Sequence, residues 1–302
     1  MKKIASLVLS FFLLAITGTA QEFYVRLGAG YSFPQASQTL DGTGTPYGGS
    51  ATSTTYTASY SLKNASFSAG TNASIGAGYL FNDHVGIQLD ANFNLSGKTY
   101  SLSVPNVSYS GYTADETITQ QAKSDLILMP SLVLQTGGDG KWNLYGRFGL
   151  AVPVNTKITQ DQIFYISQLP ETDDYTFKIK NSFSLGFTGA VGVQYRVNNK
   201  MSVWCEMNLL SLSQYIKESD PYQVTANGTS VPLSSVQGLY TVKYSKNVTV
   251  DTSYTKEPAY SQPFSSLGLK VGISFTLSKH EHSKGRKDDD LIDDSKPFRR
   301  RN

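Results

Sequence analysis

The stretch Val85-Gly86-Ile87-Gln88-Leu89-Asp90-Ala91-Asn92-Phe93-Asn94-Leu95-Ser96 puts an apolar residue at every odd position and a small or polar one at every even position. Successive side chains of a β-strand point to opposite faces, so unbroken alternation over this length predicts a strand with one greasy and one hydrophilic face. The same rhythm runs from Leu267 to Leu277, where Leu267, Leu269, Val271, Ile273, Phe275 and Leu277 alternate with Gly268, Lys270, Gly272, Ser274 and Thr276. It returns from Trp142 to Val152 and from Phe183 to Arg196, and with small lapses over 22–33, 72–81 and 201–209. The segment 125–135 is the least regular, apolar on both faces and carrying Pro130.

Connections between these eight segments differ sharply in length. Asn82-Asp83-His84, the Gly-Gly-Asp-Gly run within 136–141, and Asn198-Asn199-Lys200 are tight-turn sequences. The others, roughly 34–71, 103–124, 157–182 and 213–263, are long and rich in Ser, Thr, Tyr and Asn. Short and long alternate, so every tight turn falls at one end of the strands and every long loop at the other. An all-β, up-and-down antiparallel barrel that crosses a membrane has this arrangement, with eight strands as the first reading and ten as the alternative. Tyr175, Phe177 and Ile179 keep the phase of Phe183, so some strands project beyond the bilayer.

Composition narrows the class. Only 16% of the 302 residues are charged, whereas about a quarter of an average soluble domain is, and Ser, Thr, Asn, Gly and Tyr supply the polar surface instead. Cys205 alone excludes a disulfide framework or a zinc cluster. The formal charge of +3 comes from the two ends of the chain, which leaves no cationic face in the body and argues against nucleic acid as a partner. At the start, Met1-Lys2-Lys3, the apolar run Ile4 to Ile16 and Thr17-Gly18-Thr19-Ala20 have the form of a secretory signal peptide cut after Ala20. After it, no segment is long and apolar enough for a membrane-spanning helix, so a return to a membrane requires a closed barrel.

Which face looks outward follows from bulk. Eight strands enclose just enough room for side chains to fill, and the hydrophilic phase is built largely on small residues such as Gly28, Gly30, Gly76, Gly78, Gly86, Gly192 and Gly272. Leu, Val, Ile and Phe dominate the other phase and would overfill that interior, so they face lipid. Phe23, Tyr79, Phe81, Trp142, Tyr195 and Phe275 all fall on the apolar phase near the short-turn end, as an interfacial aromatic girdle would.

Over 21–277 the chain resembles the small Gram-negative outer-membrane β-barrels, such as the transmembrane domain of outer-membrane protein A and porin-like eight-stranded barrels. Lys270-Val271-Gly272-Ile273-Ser274-Phe275-Thr276-Leu277 resembles the terminal-strand signal read by the barrel-assembly machinery, with Lys270, Gly272, Phe275 and Leu277 at its marked positions, although 25 residues follow it here. The resemblance implies residence in the cell outer membrane, outer-membrane lipid and the assembly machinery as partners, and loops that contact a ligand outside.

Chemistry is sparse. The hydrophilic phase holds Arg26, Asp90, Arg147, Arg196, Glu206 and Lys270, most of them four to seven residues from the short-turn end and so at similar depth. Opposite charges in a filled barrel must pair, since an uncompensated buried charge costs several kcal/mol, which predicts a luminal salt-bridge plug; charges lining a wet pore are the alternative. His84, His280 and His282 all lie at the end opposite the long loops, which disfavours a hydrolase using a His near the external edge. Gly28-Ala29-Gly30 and Gly76-Ala77-Gly78 lack the third Gly of a dinucleotide fingerprint. His280-Glu281-His282 is too sparse for a metal centre, so neither an enzyme nor a cofactor or metal is expected. Residues 278–302, with Asp288 to Asp290 and Arg299 to Arg301, read as a disordered charged periplasmic tail. The expected function is a non-catalytic membrane scaffold or surface-contact protein, with a narrow solute pore as the alternative.

Overall fold

The computed structural model describes residues 22–35, 66–96, 99–109, 112–137, 140–166, 171–226, 228–248 and 255–279. Its strands are β1 (Glu22–Pro34), β2 (Gly70–Leu80), β3 (Val85–Asn94), β4 (Thr99–Tyr109), β5 (Tyr112–Gln135), β6 (Trp142–Ile166), β7 (Glu171–Asn181), β8 (Gly186–Arg196) and β9 (Met201–Ser211). They continue with β10 (Ser213–Ala226), β11 (Thr229–Ser230), helix α1 (Leu233–Tyr240), β12 (Val242–Ser245), β13 (Lys256–Pro258), β14 (Ser261–Pro263) and β15 (Ser266–Lys279). Eight close a cylinder in the order β1, β2, β3, β5, β6, β8, β9, β15 and back to β1, every neighbour antiparallel. The eight segments read from alternation are these eight strands, and the ten-stranded alternative does not occur. The proposed leader, 1–20, and residues 280–302 of the proposed tail lie outside the described residues.

Orientation follows the bulk argument. Phe148, Leu144 and Val271 are 60% or more exposed on the outer wall, while Gln88, Glu206 and Lys270 on the hydrophilic phase are 3% exposed or less. A charge on that outer wall must enter hydrocarbon. Val271→Arg, near the middle of the apolar band of β15, is expected to destabilise the barrel by about 2–4 kcal/mol in phospholipid. Urea titration of refolded protein measures it, and an unchanged midpoint would mean that Val271 does not face lipid.

The short turns show why the sequence reverses where it does. Asn82 Oδ1 accepts from the backbone N–H of His84 and Val85, both at 2.8 Å. Asn198 Oδ1 does the same for Lys200 at 2.9 Å and Met201 at 2.8 Å. In each case the asparagine side chain replaces a backbone partner and tightens the turn. Between β5 and β6, Gly137 takes φ +65° and its N–H bonds to Asn143 Oδ1 at 3.0 Å. Pro130 cannot donate to the ladder, and the β5–β6 pairing is interrupted between Leu128↔Val152 and Ser131↔Gly149.

Much of what composition marks as long loop is sheet. A tilted membrane strand needs about 9–11 residues, and β5 has 24 and β6 has 25. Their upper halves stay paired and continue outside as a sheet ordered β4, β5, β6, β7, β10, β12, β13. The alternation Tyr175, Phe177, Ile179 belongs to β7, which pairs with upper β6 and with β10 and takes no place in the cylinder.

Candidate functional site

The lumen is filled in two layers. In the lower one, Arg147 bonds Asp90 through Nη1 and Glu206 Oε1 through Nη2, the latter at 2.5 Å. Arg26 Nη2 lies 3.3 Å from Glu206 Oε2 and donates to the Tyr145 hydroxyl at 2.6 Å, and Tyr145 donates to Glu206 Oε2 at 2.9 Å. Gln88 joins both sides, accepting from Tyr24 at 2.8 Å and donating to Asp90 at 2.7 and 2.8 Å. Lys270 stands opposite Glu206 in the β9–β15 register, and its Nζ donates to Asn92 Oδ1 at 2.7 Å. Every charged member is 8% exposed or less.

Glycines make room for this layer. Trp204, Gly272 and Gly28 occupy one row across three strands, and the indole lies over the two glycines with the Arg26 guanidinium 4.0 Å from its centroid. A Cβ on Gly272 would meet the indole at 2.5 Å, and one on Gly192 would meet the Tyr145 ring, its register partner, at 2.5 Å. With Tyr24 opposite Gly78 as the third case, large against small across the register lets three aromatics fit a narrow cylinder.

Above the ionic layer sits an apolar stopper. Segments 66–69 and 260–264 fold into the mouth, and Phe67, Phe264 and Ile127 are fully buried among Met129, Ile158 and Leu212. Phe67 packs on Phe264 with ring centroids 5.6 Å apart and edge-on against Tyr100 at 5.3 Å. Backbone and side-chain bonds fix both segments: Phe67 N–H to Pro263 O at 2.8 Å, Asn94 Nδ2 to Phe67 O at 2.7 Å, and Ser68 Oγ to Asp125 at 2.9 Å.

Below the ionic layer the barrel opens at its short-turn end into a cavity of about 720 Å³. Its charged lining is Arg26, Arg196, Lys200 and Glu22. Outside the membrane span, the sheet carries its own charges. Lys180 lies 2.5 Å from both Asp220 and Glu218, and these bonds hold its ammonium above the ordinary lysine range. Burial pushes the Glu116 carboxyl up, against a hydrogen bond from Gln162.

Of the six luminal charges read from sequence, Arg26, Asp90, Arg147 and Glu206 form one bonded cluster with Lys270 beside it, while Arg196 stands apart on the wall of the open cavity. The six aromatics Phe23, Tyr79, Phe81, Trp142, Tyr195 and Phe275 lie at the short-turn end, Trp142 against Tyr195 at 4.8 Å and Tyr79 against Phe81 at 5.3 Å. On β15, Lys270 points inward and Phe275 and Leu277 outward. Tyr24, Gln88, Tyr145 and Trp204 were not singled out by sequence reading, although aromatics on the glycine-rich phase signal them. The stopper phenylalanines lie in segments without periodicity and carry no comparable signal. His84 sits in its turn with Nδ1 3.2 Å from Gln135 O; the His280-Glu281-His282 triplet lies outside the described residues.

A family model described as outer membrane protein beta-barrel domain matches residues 4–234. Among solved structures, the chain is similar to the outer membrane protein OprG from Pseudomonas aeruginosa, at 13% identity over 86% of this chain and 97% of that one, with a TM-score of 0.42. It is similar also to Neisserial surface protein A (12%, covering 84% and 96%, TM-score 0.33) and to Ail, the attachment invasion locus protein of Yersinia pestis (9%, covering 85% and 99%, TM-score 0.28). No curated protein matches it.

Proposed function

The chain belongs to the outer membrane protein beta-barrel domain family, and we propose that within it this protein is a non-conducting, non-catalytic scaffold that carries a β-sheet surface above the cell outer membrane. The observation behind this reading is the double closure of the lumen. Ion pairs cross its middle, above the open cavity, and a buried cluster around Phe67 and Phe264 fills its upper mouth. Ions crossing such a cylinder would have to displace bonded charges and then enter an apolar layer, where an unpaired charge is unfavourable by several kcal/mol. Meanwhile the β4, β5, β6, β7, β10 sheet holds tyrosines and charges outward, among them Tyr165, Tyr222 and the Lys180–Glu218–Asp220 group. Outer-membrane lipid surrounds the barrel, the assembly machinery inserts it, and the external sheet meets the loop ligand. The cavity on the short-turn side favours a narrow solute pore as the competing reading, and conductance separates the two. Purified protein in planar bilayers is expected to give no steps above background. Steps that change ion selectivity when Arg147 is neutralised would replace the scaffold with the pore.

A further inference from the structure

The lipid-facing wall changes character where the external sheet begins. On β6 the exposed series Phe148, Leu150, Val154 is followed by exposed Lys157, and exposed Leu185 and Phe183 lead up the neighbouring segment to exposed Lys180. Each lysine lies three residues past the apolar side chain before it, within about 10 Å along a tilted strand. Lipid headgroups occupy about 5–8 Å beyond the hydrocarbon on each side, so both ammonium groups stand at headgroup depth.

Register extends the row. Ile158 pairs with Ile179, which sets Lys157 beside Lys180; Lys180 pairs with Glu218, Glu218 with Lys243, and Lys243 with Lys256. Ile158, Ile179 and Tyr244, next to them in sequence, pack into the core cluster, so the row itself faces away from it. Lys217, exposed at the bulge of β10, and Lys178, its ammonium 3.4 Å from the centre of the Tyr222 ring, flank the row. Among the described residues this strip holds two carboxylates, Glu218 and Asp220, and Lys180 bonds both. Lys157, Lys217, Lys243 and Lys256 have no carboxylate partner among the described residues. Asp161 and Asp174 lie farther up β6 and β7, so the sheet is basic at its foot and acidic above.

We propose that this lysine strip binds the phosphate groups of lipid headgroups in the surrounding outer leaflet and so fastens the foot of the external sheet to the membrane surface. The proposal rests on the reading that sets the sheet above the cell outer membrane. Ammonium groups are point charges that take phosphate oxygens from many directions, and clustered lysines beside a membrane span attract anionic headgroups. Tyr215 and Tyr222, both exposed among the lysines, suit the same layer, where aromatic side chains with a polar tip are enriched. The charge that draws the foot of the sheet to the surface holds its acidic upper part off.

Lipid competition in the full chain tests this. Phe183→Trp in a Trp142→Phe background places an indole just below the strip, and buried, luminal Trp204 adds a constant signal. The protein is refolded into vesicles of phosphatidylcholine with brominated acyl chains, which quench an indole they touch, and heat-modifiable gel mobility verifies folding. Unbrominated, diphosphorylated lipid A is then mixed into the vesicles, and relief of quenching gives its occupancy at position 183 relative to its share of the bilayer. A preference of about tenfold over phosphatidylcholine is expected, as a few exposed ion pairs acting together give. It should fall to near parity when Lys157→Gln, Lys217→Gln, Lys243→Gln and Lys256→Gln are combined, a change that spares the Lys180 group. It should fall likewise in 1 M NaCl, where the Debye length is about 3 Å, a readout that needs no variant of the strip to fold. Inorganic phosphate added to the buffer should leave the preference in place, because a free anion lacks the acyl chains that hold a headgroup at this height. Parity with the strip intact, a preference that survives lysine removal or high salt, or one abolished by inorganic phosphate would each overturn the proposal alone. No quenching by brominated lipid at position 183 would overturn it together with the orientation on which it rests.

Discussion

Glu206→Ala is expected to lower the unfolding free energy of the barrel in phospholipid by about 3–5 kcal/mol, the cost of breaking a buried ion pair from one side. Glu206 is 2% exposed and accepts from both arginines of the plug and from Tyr145. Without it, Arg26, Arg147 and Lys270 share the cylinder with Asp90 as their one carboxylate in the cluster. Desolvated cations have no cheap escape there, because the walls are hydrogen-bonded strands and the mouth above is apolar. Urea titrations of refolded protein give the magnitude. Lys270 stands opposite Glu206 in register, so adding Lys270→Met to Glu206→Ala is expected to recover part of the loss by removing one of the stranded charges. A single variant as stable as the parent would mean that water solvates the cluster, and the case for a blocked lumen would fall with it.

Phe264→Ala is expected to remove about 3–5 kcal/mol of packing from the upper mouth, the usual range for truncating a buried phenylalanine. The loss should be local. The ring packs on Phe67 in a cluster that includes Leu212, and the ladders of the eight barrel strands do not run through it. Segments 66–69 and 260–264 should therefore become cleavable by proteinase K added outside vesicles while heat-modifiable mobility persists. Cleavage equal to that of the parent would show that the aromatic pair does not hold the stopper in place. Loss of the folded gel form would show that the barrel depends on it.

The cylinder was legible because lipid outside and a narrow interior impose opposite demands on alternate residues. Val85 to Ser96 and Leu267 to Leu277 display those demands without a lapse, and the glycines on one phase decide which face turns in. Depth was legible too: counting from the tight turns brought Arg26, Asp90, Arg147 and Glu206 to similar depth, and their side chains meet in one bonded cluster. Arg196, only two residues from the Asn198 turn, is the exception to that count; it is the last residue of β8 and lines the open cavity. Tyr24, Tyr145 and Trp204 are polar-phase aromatics whose role depends on glycines of neighbouring strands, information that resides in cross-strand register and not in any single segment. Alternation at Tyr175, Phe177 and Ile179 pointed to strands beyond the bilayer, but the make-up of the external sheet, with β7 between upper β6 and β10, was not legible, because in water polar residues serve an exposed face as well as apolar ones do. Residues such as Thr117, Thr119 and Gln121 of β5 face a medium that accepts any polar side chain.

The Phe67–Pro263 backbone bond joins the first long connection of the chain to its last. Contacts so remote in sequence form late, since the intervening chain must first be ordered. Neither half of the stopper has its partner until the chain through Phe264 is in place, so a chain halted before that point exposes an unsealed top. Completion of the molecule is thereby displayed on its outermost surface.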